Sequence, residues 1–364
     1  MGKFGLLAIS LGVILKFARE NRVLSPATLL AMALIVTMMT SNFARGDQAF
    51  TNATLILLIV LAAVVVAPRG REAALGFATF GVSVGIASAL ASVISYETTV
   101  GLCERKCGAL DLLYFGVFNN ENQLGVILVS TLPSVWLVFA GRHRVILSLY
   151  IVGLVAVTGN RTSTAVAIAI LALCMATRPT FLGSGASGRR PFVLGFAALG
   201  FLALSAWLPF STESNEAFTG RGRLWFRAIA AWEEHPLAGI GFNGWHRIVD
   251  GTNLDFLGSY SPHNVWLDVG LGAGLFGICL FLVLLWLIWH YRAPGGGYIL
   301  GILLSTVFAM GSLEQPLNFR GISSFSFVLP MLLLLVPQRL SLASADSSVQ
   351  ANEPKSHTRP AGRK

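Results

Sequence analysis

The fold class predicted by the sequence is all-α: a polytopic membrane protein of about eleven transmembrane helices, at about 20 apolar residues per bilayer crossing, with one large outside loop that contains an amphipathic helix. Three observations predict it. The 364 residues are 54% hydrophobic and only 12% charged, with a mean hydropathy of +0.70. A soluble domain carries about 25% charged residues. The basic residues behind the net charge of +9 fall in short clusters between apolar runs, which is the pattern of membrane orientation signals and argues against a nucleic-acid partner. One long stretch, Thr219 to Asp268, is too polar to span a bilayer and holds three of the six histidines and four of the eight tryptophans.

Taken in order, apolar runs predict spans near 4–17, 23–40, 51–67, 73–95, 123–140, 144–159, 162–177, 191–209, 263–289, 298–313 and 321–337. The first is short and reads as a half-helix or an interfacial segment. It resembles a signal peptide, but no small-residue cleavage pattern follows, so no cleavage is expected. Only Gly159-Asn160-Arg161 separates 144–159 from 162–177, which predicts a tight helical hairpin. Residues 1–340 thus read as a single transmembrane domain. The tail 341–364 is rich in Ser, Ala, Pro and Lys and reads as disordered and cytoplasmic.

Loop charge sets the orientation. One side receives Lys16, Arg19, Arg22, Arg69, Arg71, Arg142, Arg144, Arg178, Arg189, Arg190 and Arg292. The other receives Lys3, Arg45, Arg105, Lys106, Arg161 and Arg320, leaving out the long loop. Short loops rich in Lys and Arg stay in the cytoplasm. The long loop, about 210–262, is therefore outside, as is the Cys103–Cys107 segment, where either a disulfide or two free thiols are open readings. Cys174 and Cys279 lie in apolar runs and read as packing residues.

Inside the long loop, Leu224, Trp225, Ala228, Ile229 and Trp232 share one helical face, and Arg223, Arg227 and Glu234 share another. This predicts an amphipathic helix of about four turns, starting near Thr219-Gly220 and stopped by Pro236. Tryptophans on its apolar face suit a membrane–water interface. The helix is expected to lie on the outer leaflet and present its arginines to an anion.

Nucleotide-binding loops, HExxH and metal-spaced carboxylates are missing from the chain. No cofactor and no metal is expected. Arginine and histidine near the outer face remain. Arg161 sits at the outer end of the hairpin, where a charge either snorkels or binds. A guanidinium grips phosphate bidentately. Arg221 is the second such residue, with Arg223 and Arg227 behind it as a solvated face or as supporting cations. His263 opens the span 263–289, and a neutral imidazole there can accept a proton. His235 and His246 share the loop and read as ordinary loop residues.

These residues bring the motifs together. TGRGRLW at 219–225, HPLAGIGF at 235–242 and SPHNVWLDVGLGAGLFG at 261–277 resemble the signature region of the O-antigen ligase and O-antigen polymerase family, bacterial enzymes that transfer lipid-linked glycans. The family's Gly-x-Arg-Thr hairpin falls on Gly159, Arg161 and Thr162, and its asparagine-rich loop resembles 118–122, ending on Asn122. The resemblance covers about 115–290. One departure stands out: many relatives carry a glutamate nine residues after the histidine, and here that position is Gly272.

The resemblance implies a membrane glycosyltransferase at the outer face of the bacterial inner membrane, using a glycan on undecaprenyl diphosphate as donor. Arg161 and Arg221 would bind the diphosphate, His263 would act as catalytic base, and Arg223, Arg227, Asn264 and Asn122 are possible supporting residues. The acceptor would be a further glycan repeat, for an O-antigen or exopolysaccharide polymerase, or lipid A–core, for a ligase. A chain-length regulator is an implied partner. A polysaccharide transporter or flippase is the alternative from another class. It wants paired charges or broken helices near mid-bilayer, and the predicted spans are nearly free of acids. A structural assembly protein is a third class.

The topology is tested by cysteine labelling in intact cells. Residues 68–72, 141–144 and 178–190 should label only from the cytoplasm, and 210–262 only from outside. A long loop accessible only from the cytoplasm would overturn both the orientation and the outer-face chemistry.

Overall fold

The computed structural model describes residues 26–45, 52–64, 69–102, 107–118, 120–178, 189–241, 243–249, 261–292, 296–317, 319 and 327–336. The elements are helices α1 (Pro26–Phe43), α2 (Asn52–Ala63), α3 (Arg71–Ile94) and α4 (Tyr96–Thr99), then strands β1 (Val100–Leu102) and β2 (Leu112–Tyr114). They continue with α5 (Glu121–Val138), α6 (Gly141–Val157), α7 (Arg161–Thr177), α8 (Arg189–Trp207), α9 (Ala217–Glu234), α10 (Gly244–Val249), α11 (Val265–His290), α12 (Gly296–Gly311) and α13 (Val328–Leu335). Within the described residues each apolar run from 23–40 to 321–337 overlaps a helix, the last of them only the eight-residue α13. The run 4–17 and the tail 341–364 lie outside the described residues. Among the described residues three helices, α1, α3 and α11, are long and apolar enough to cross a membrane, and shorter apolar helices occupy Arg161–Thr177, Phe192–Trp207 and Gly296–Gly311.

Among the described residues the fold is all-α apart from one antiparallel hairpin, with Val100 opposite Tyr114 and Leu102 opposite Leu112. Strands of three residues are too short for an alternating pattern to register in sequence. Cys107 is disulfide-bonded, while Cys174 and Cys279 carry free thiols. Cys103 lies outside the described residues.

Helices α5 and α12 form the centre. Every residue from Leu124 to Leu137 is buried, and α12 is buried along nearly its whole length. Around them pack α3, α6, α7 and α8, each with an apolar outward face: Leu90, Ile146, Ile168 and Leu199 are all more than half exposed. Apolar side chains pointing outward are what lipid solvates. Close helix contact is bought by small residues. A Cβ at Gly125 of α5 would lie 2.9 Å from Ser163 Oγ of α7, and one at Gly301 of α12 would lie 2.8 Å from Leu194 Cβ of α8.

Helix α11 is broken at Gly274 (φ 64, ψ −159). The break frees backbone groups, and the loop after α9 takes them up. Ile240 N donates to Leu271 O (2.6 Å) and Gly241 N to Gly272 O (3.2 Å). In return Leu275 N donates to Pro236 O (2.8 Å) and Phe276 N to Leu237 O (3.2 Å). Gly239 sits at φ 66, and a Cβ there would lie 2.5 Å from Leu271 O. The C-terminal end of α1 holds the same loop. Ser41 Oγ donates to Ala238 O, Arg45 Nη2 to Gly239 O (2.8 Å), and Asn42 Oδ1 accepts from Asn243 N (3.1 Å).

The amphipathic helix α9 is present, but its apolar face does not lie on the membrane surface as the sequence suggested. Leu224, Trp225 and Ala228 are buried with Trp245, Leu267 and Leu271 in a protein cluster. Trp225 is fully buried, and its Nε1 donates to Pro262 O at 2.9 Å. The physical reason is that α11 and the loop 236–249 supply apolar partners and an acceptor for the indole N–H. Arg227, on the opposite face, is exposed.

Gly239→Ala is expected to destabilise the protein by at least about 1–2 kcal/mol, the cost of a left-handed residue with a Cβ, because the methyl also meets a carbonyl. Gly76→Ala, with open space around it, should not destabilise. Thermal melts of the two purified variants in detergent check this, and equal melting points would refute the role of Gly239.

Candidate active site

The site collects at one end of the bundle, where several helices begin or end. Asn120 caps α5 by accepting from Asn122 N at 2.7 Å, which sets Asn122 on the first turn. Gly159, at φ 78, reverses the chain between α6 and α7. Asn160 then caps α7 by accepting from Ser163 N at 2.9 Å. These two residues place Arg161 at the first position of α7. Arg161 is exposed, and among the described residues no hydrogen bond or ion pair holds its guanidinium. The positive end of the α7 dipole lies beside it.

Phe218, Thr219 and Gly220 all take left-handed φ values (52, 65 and 86), so the chain turns sharply before α9 proper begins at Arg221. Gly222 is packed against Ser214, with a Cβ there only 2.0 Å from the Ser214 carbonyl oxygen. Arg221 is therefore brought into the bundle end, with its side chain only 13% exposed. Its Nη1 donates to Phe218 O (3.2 Å) and its Nη2 to Glu314 Oε1 (2.5 Å). A cleft of about 260 Å³ is lined by Asn122, Arg161, Thr162, Phe218, Arg221 and Leu313, among others. The structure thus brings three of the sequence-predicted residues, Asn122, Arg161 and Arg221, to one cavity.

His263 reaches the same site through a carboxylate. It precedes α11, at φ 52, a strained conformation for a residue with a Cβ. Its backbone N donates to Ser261 Oγ (3.1 Å), and its Nδ1 lies 3.2 Å from Glu314 Oε2. Glu314 is 3% exposed and follows the end of α12. One buried carboxylate therefore joins Arg221 and His263. Sequence reasoning missed it. Glu314 lies beyond the motif region, in a run of ordinary polar residues, and no spacing rule links it to His263. The only available signal was an acid placed between two apolar spans.

Other predicted residues fall elsewhere. Asn264 caps α11: its Oδ1 accepts from Trp266 N (3.0 Å) and Leu267 N (3.1 Å), and its Nδ2 donates to Ser205 O (2.9 Å) and Ser312 O (3.2 Å). It is fully buried, and both ends of its amide are engaged in holding helices together. Arg223 pairs with Glu216 at the protein surface, and Arg227 is exposed; neither lines the cleft. His235 Nε2 meets Arg45 Nη1 at 3.1 Å. Asp268 is buried and accepts from Gln315 Nε2. Among the described residues no group of three or more His, Cys, Asp or Glu is placed to hold a metal ion.

Fold and site together define a multi-pass α-helical membrane protein with a cationic cleft and a histidine–carboxylate pair at one end of its bundle. A family model described as O-antigen ligase matches residues 145–282. The resemblance to the O-antigen ligase and polymerase family is borne out over that segment, which contains Arg161, Arg221 and His263, and it supports a membrane glycan ligase or polymerase. Asn122 and Glu314 lie outside the matched residues. No curated protein matches the chain.

Asn264→Ala should cost about 2 kcal/mol, a lost cap plus buried carbonyls left without donors. It should lower the melting point and the amount of inserted protein. Arg223→Ala should change neither, since an exposed pair contributes little. Immunoblots of membrane fractions and melts in detergent separate the two outcomes.

Proposed function

We propose that this protein is an integral membrane glycosyltransferase. It transfers a glycan from an undecaprenyl diphosphate-linked donor to a hydroxyl acceptor at the outer, periplasmic face of the inner membrane. The observation that carries the reading is the cleft itself, with the Arg161 guanidinium, unpaired among the described residues, and Arg221 on its wall and His263 joined to Arg221 by Glu314. Two guanidiniums suit a diphosphate, and such a ligand set repels a metal cation, so the reading is of a metal-independent enzyme.

In this reading the acceptor oxygen attacks the anomeric carbon, and the bond from that carbon to the diphosphate oxygen breaks. The diphosphate leaves with the electron pair, and its growing charge is met by Arg161 first. Arg221 already shares its fork with Phe218 O and Glu314, so it offers its remaining charge at the wall of the cleft. His263 takes the acceptor's proton. The accompanying topology is one domain over residues 1–340 crossing about eleven times, with the tail 341–364 in the cytoplasm. The acceptor is a further repeat unit, for a polymerase that works beside a chain-length regulator, or lipid A–core, for a ligase. A ladder of glycan sizes that collapses to one repeat in deletion cells marks a polymerase. Loss of all glycan from lipid A–core, with lipid-linked polymer retained, marks a ligase.

Arg161→Lys should lose most activity, because lysine keeps the charge without the bidentate fork. His263→Ala should be stably inserted and reduced by about 10²–10⁴-fold, the range for a lost general base, while His235→Ala and His246→Ala retain substantial activity. The measurement is glycan on gels from complemented deletion cells, with protein level from immunoblots. Wild-type glycan in both Arg161→Ala and His263→Ala cells would remove the proposal.

A further inference from the structure

We infer that Glu314 is a positioning residue that sets the tautomer of His263 and ties it to Arg221. The inference rests on the glycosyltransferase reading and assigns a residue that the motifs and the matched segment leave out. Glu314 Oε1 lies 2.5 Å from Arg221 Nη2, and Oε2 lies 3.2 Å from His263 Nδ1. An ionised carboxylate only accepts hydrogen bonds. The contact at Nδ1 is then an N–H donated by His263, which leaves the lone pair on Nε2. That nitrogen receives the proton of the acceptor hydroxyl, and the imidazolium formed is met by the same carboxylate. An aspartate beside a catalytic histidine does this work in hydrolases of unrelated fold.

The surroundings hold the pair still. Glu314 is 3% exposed, and its backbone N donates to Met310 O at 2.8 Å, so it continues the last turn of α12. His263 is kept at its strained φ from both sides. Pro262 O accepts from the buried Trp225, and Asn264 is fastened to Ser205 and Ser312. Ser312 is two residues before Glu314, so one tie fixes the spacing of histidine and carboxylate. Glu314 also joins the residue that faces the leaving diphosphate to the residue that takes the proton. The two sites therefore cannot move independently.

The test compares Glu314→Gln and Glu314→Asp in cells that lack the chromosomal gene, reading the rate at which new glycan appears after induction, per unit of membrane-inserted protein. Glutamine keeps the shape, and its amide can donate to Nδ1, which moves the ring proton to Nε2. Its rate should fall about 10²-fold or more. Aspartate keeps the acceptor-only group and should recover part of that loss. In a His263→Ala background, Glu314→Gln should cost less than about twofold, because the two changes remove one function. An undiminished loss there would mean that Glu314 serves only Arg221 and would overturn the inference. So would equal losses in the Gln and Asp variants at normal protein level. If the Gln variant fails to insert, ¹⁵N NMR of histidine-labelled wild-type protein in nanodiscs, assigned by difference from His263→Ala, reads the tautomer directly. A proton on Nδ1 supports the inference and a proton on Nε2 overturns it. Inactive His263→Ala with fully active Glu314→Gln defeats this inference alone, whereas full activity in both variants defeats the glycosyltransferase reading as well.

Discussion

The break in α11 at Gly274 is the constraint on which the rest of the structure depends. Lipid offers no hydrogen bonds, so a broken spanning helix must find partners for its freed backbone groups inside the protein. Here the loop Pro236–Gly241 supplies them, giving two donors to α11 and accepting two from it. This exchange requires backbone to meet backbone, and the glycines at 239 and 241 permit the approach. A Cβ at Gly241 would lie 2.7 Å from the backbone of Asn42. The loop therefore joins α1, α9 and α11. Once it is in place, the apolar face of α9 has nowhere to go except onto α11, and Arg221 follows at the start of that helix.

The two arginines of the cleft are chemically unequal as a result. Arg161 stands at a helix start with its guanidinium unpaired among the described residues, on the wall of the cleft. Arg221 is largely enclosed and bonded to Glu314 and to Phe218 O. Enclosing an ion pair is expensive, and a pair that is broken on one side leaves a buried charge. Arg221, Glu314 and His263 are best regarded as one unit, whose removal piece by piece is not additive. Gly272 is packed against α1: a Cβ there would lie 3.2 Å from the Met38 side chain. The carboxylate beside His263 is Glu314, just beyond the end of α12.

Much of this was legible before any coordinates. Apolar runs separated by basic clusters define the helices, because bilayer thickness fixes length and lipid fixes composition. Gly159-Asn160-Arg161 spells its hairpin, and Thr219-Gly220 marks the start of α9, because reversals and helix starts are local events. Arg161, Arg221 and His263 were selected by chemistry, as charge and imidazole concentrated at one face. Three features were decided only by tertiary structure. The tryptophan face of α9 was ambiguous because an apolar stripe fits a lipid surface and a protein surface equally well, and the acceptor at Pro262 O decides between them. Asn264 read as a possible supporting residue, yet its amide is engaged by Ser205 and Ser312, from chain segments far away in sequence. Glu314 was invisible beside His263 because it lies 51 positions further along the chain, past all of α11 and α12. Sequence determines which residues can do chemistry and where helices start. Which of those residues meet depends on how helices pack, and that is set by side-chain volume and backbone satisfaction across the whole bundle.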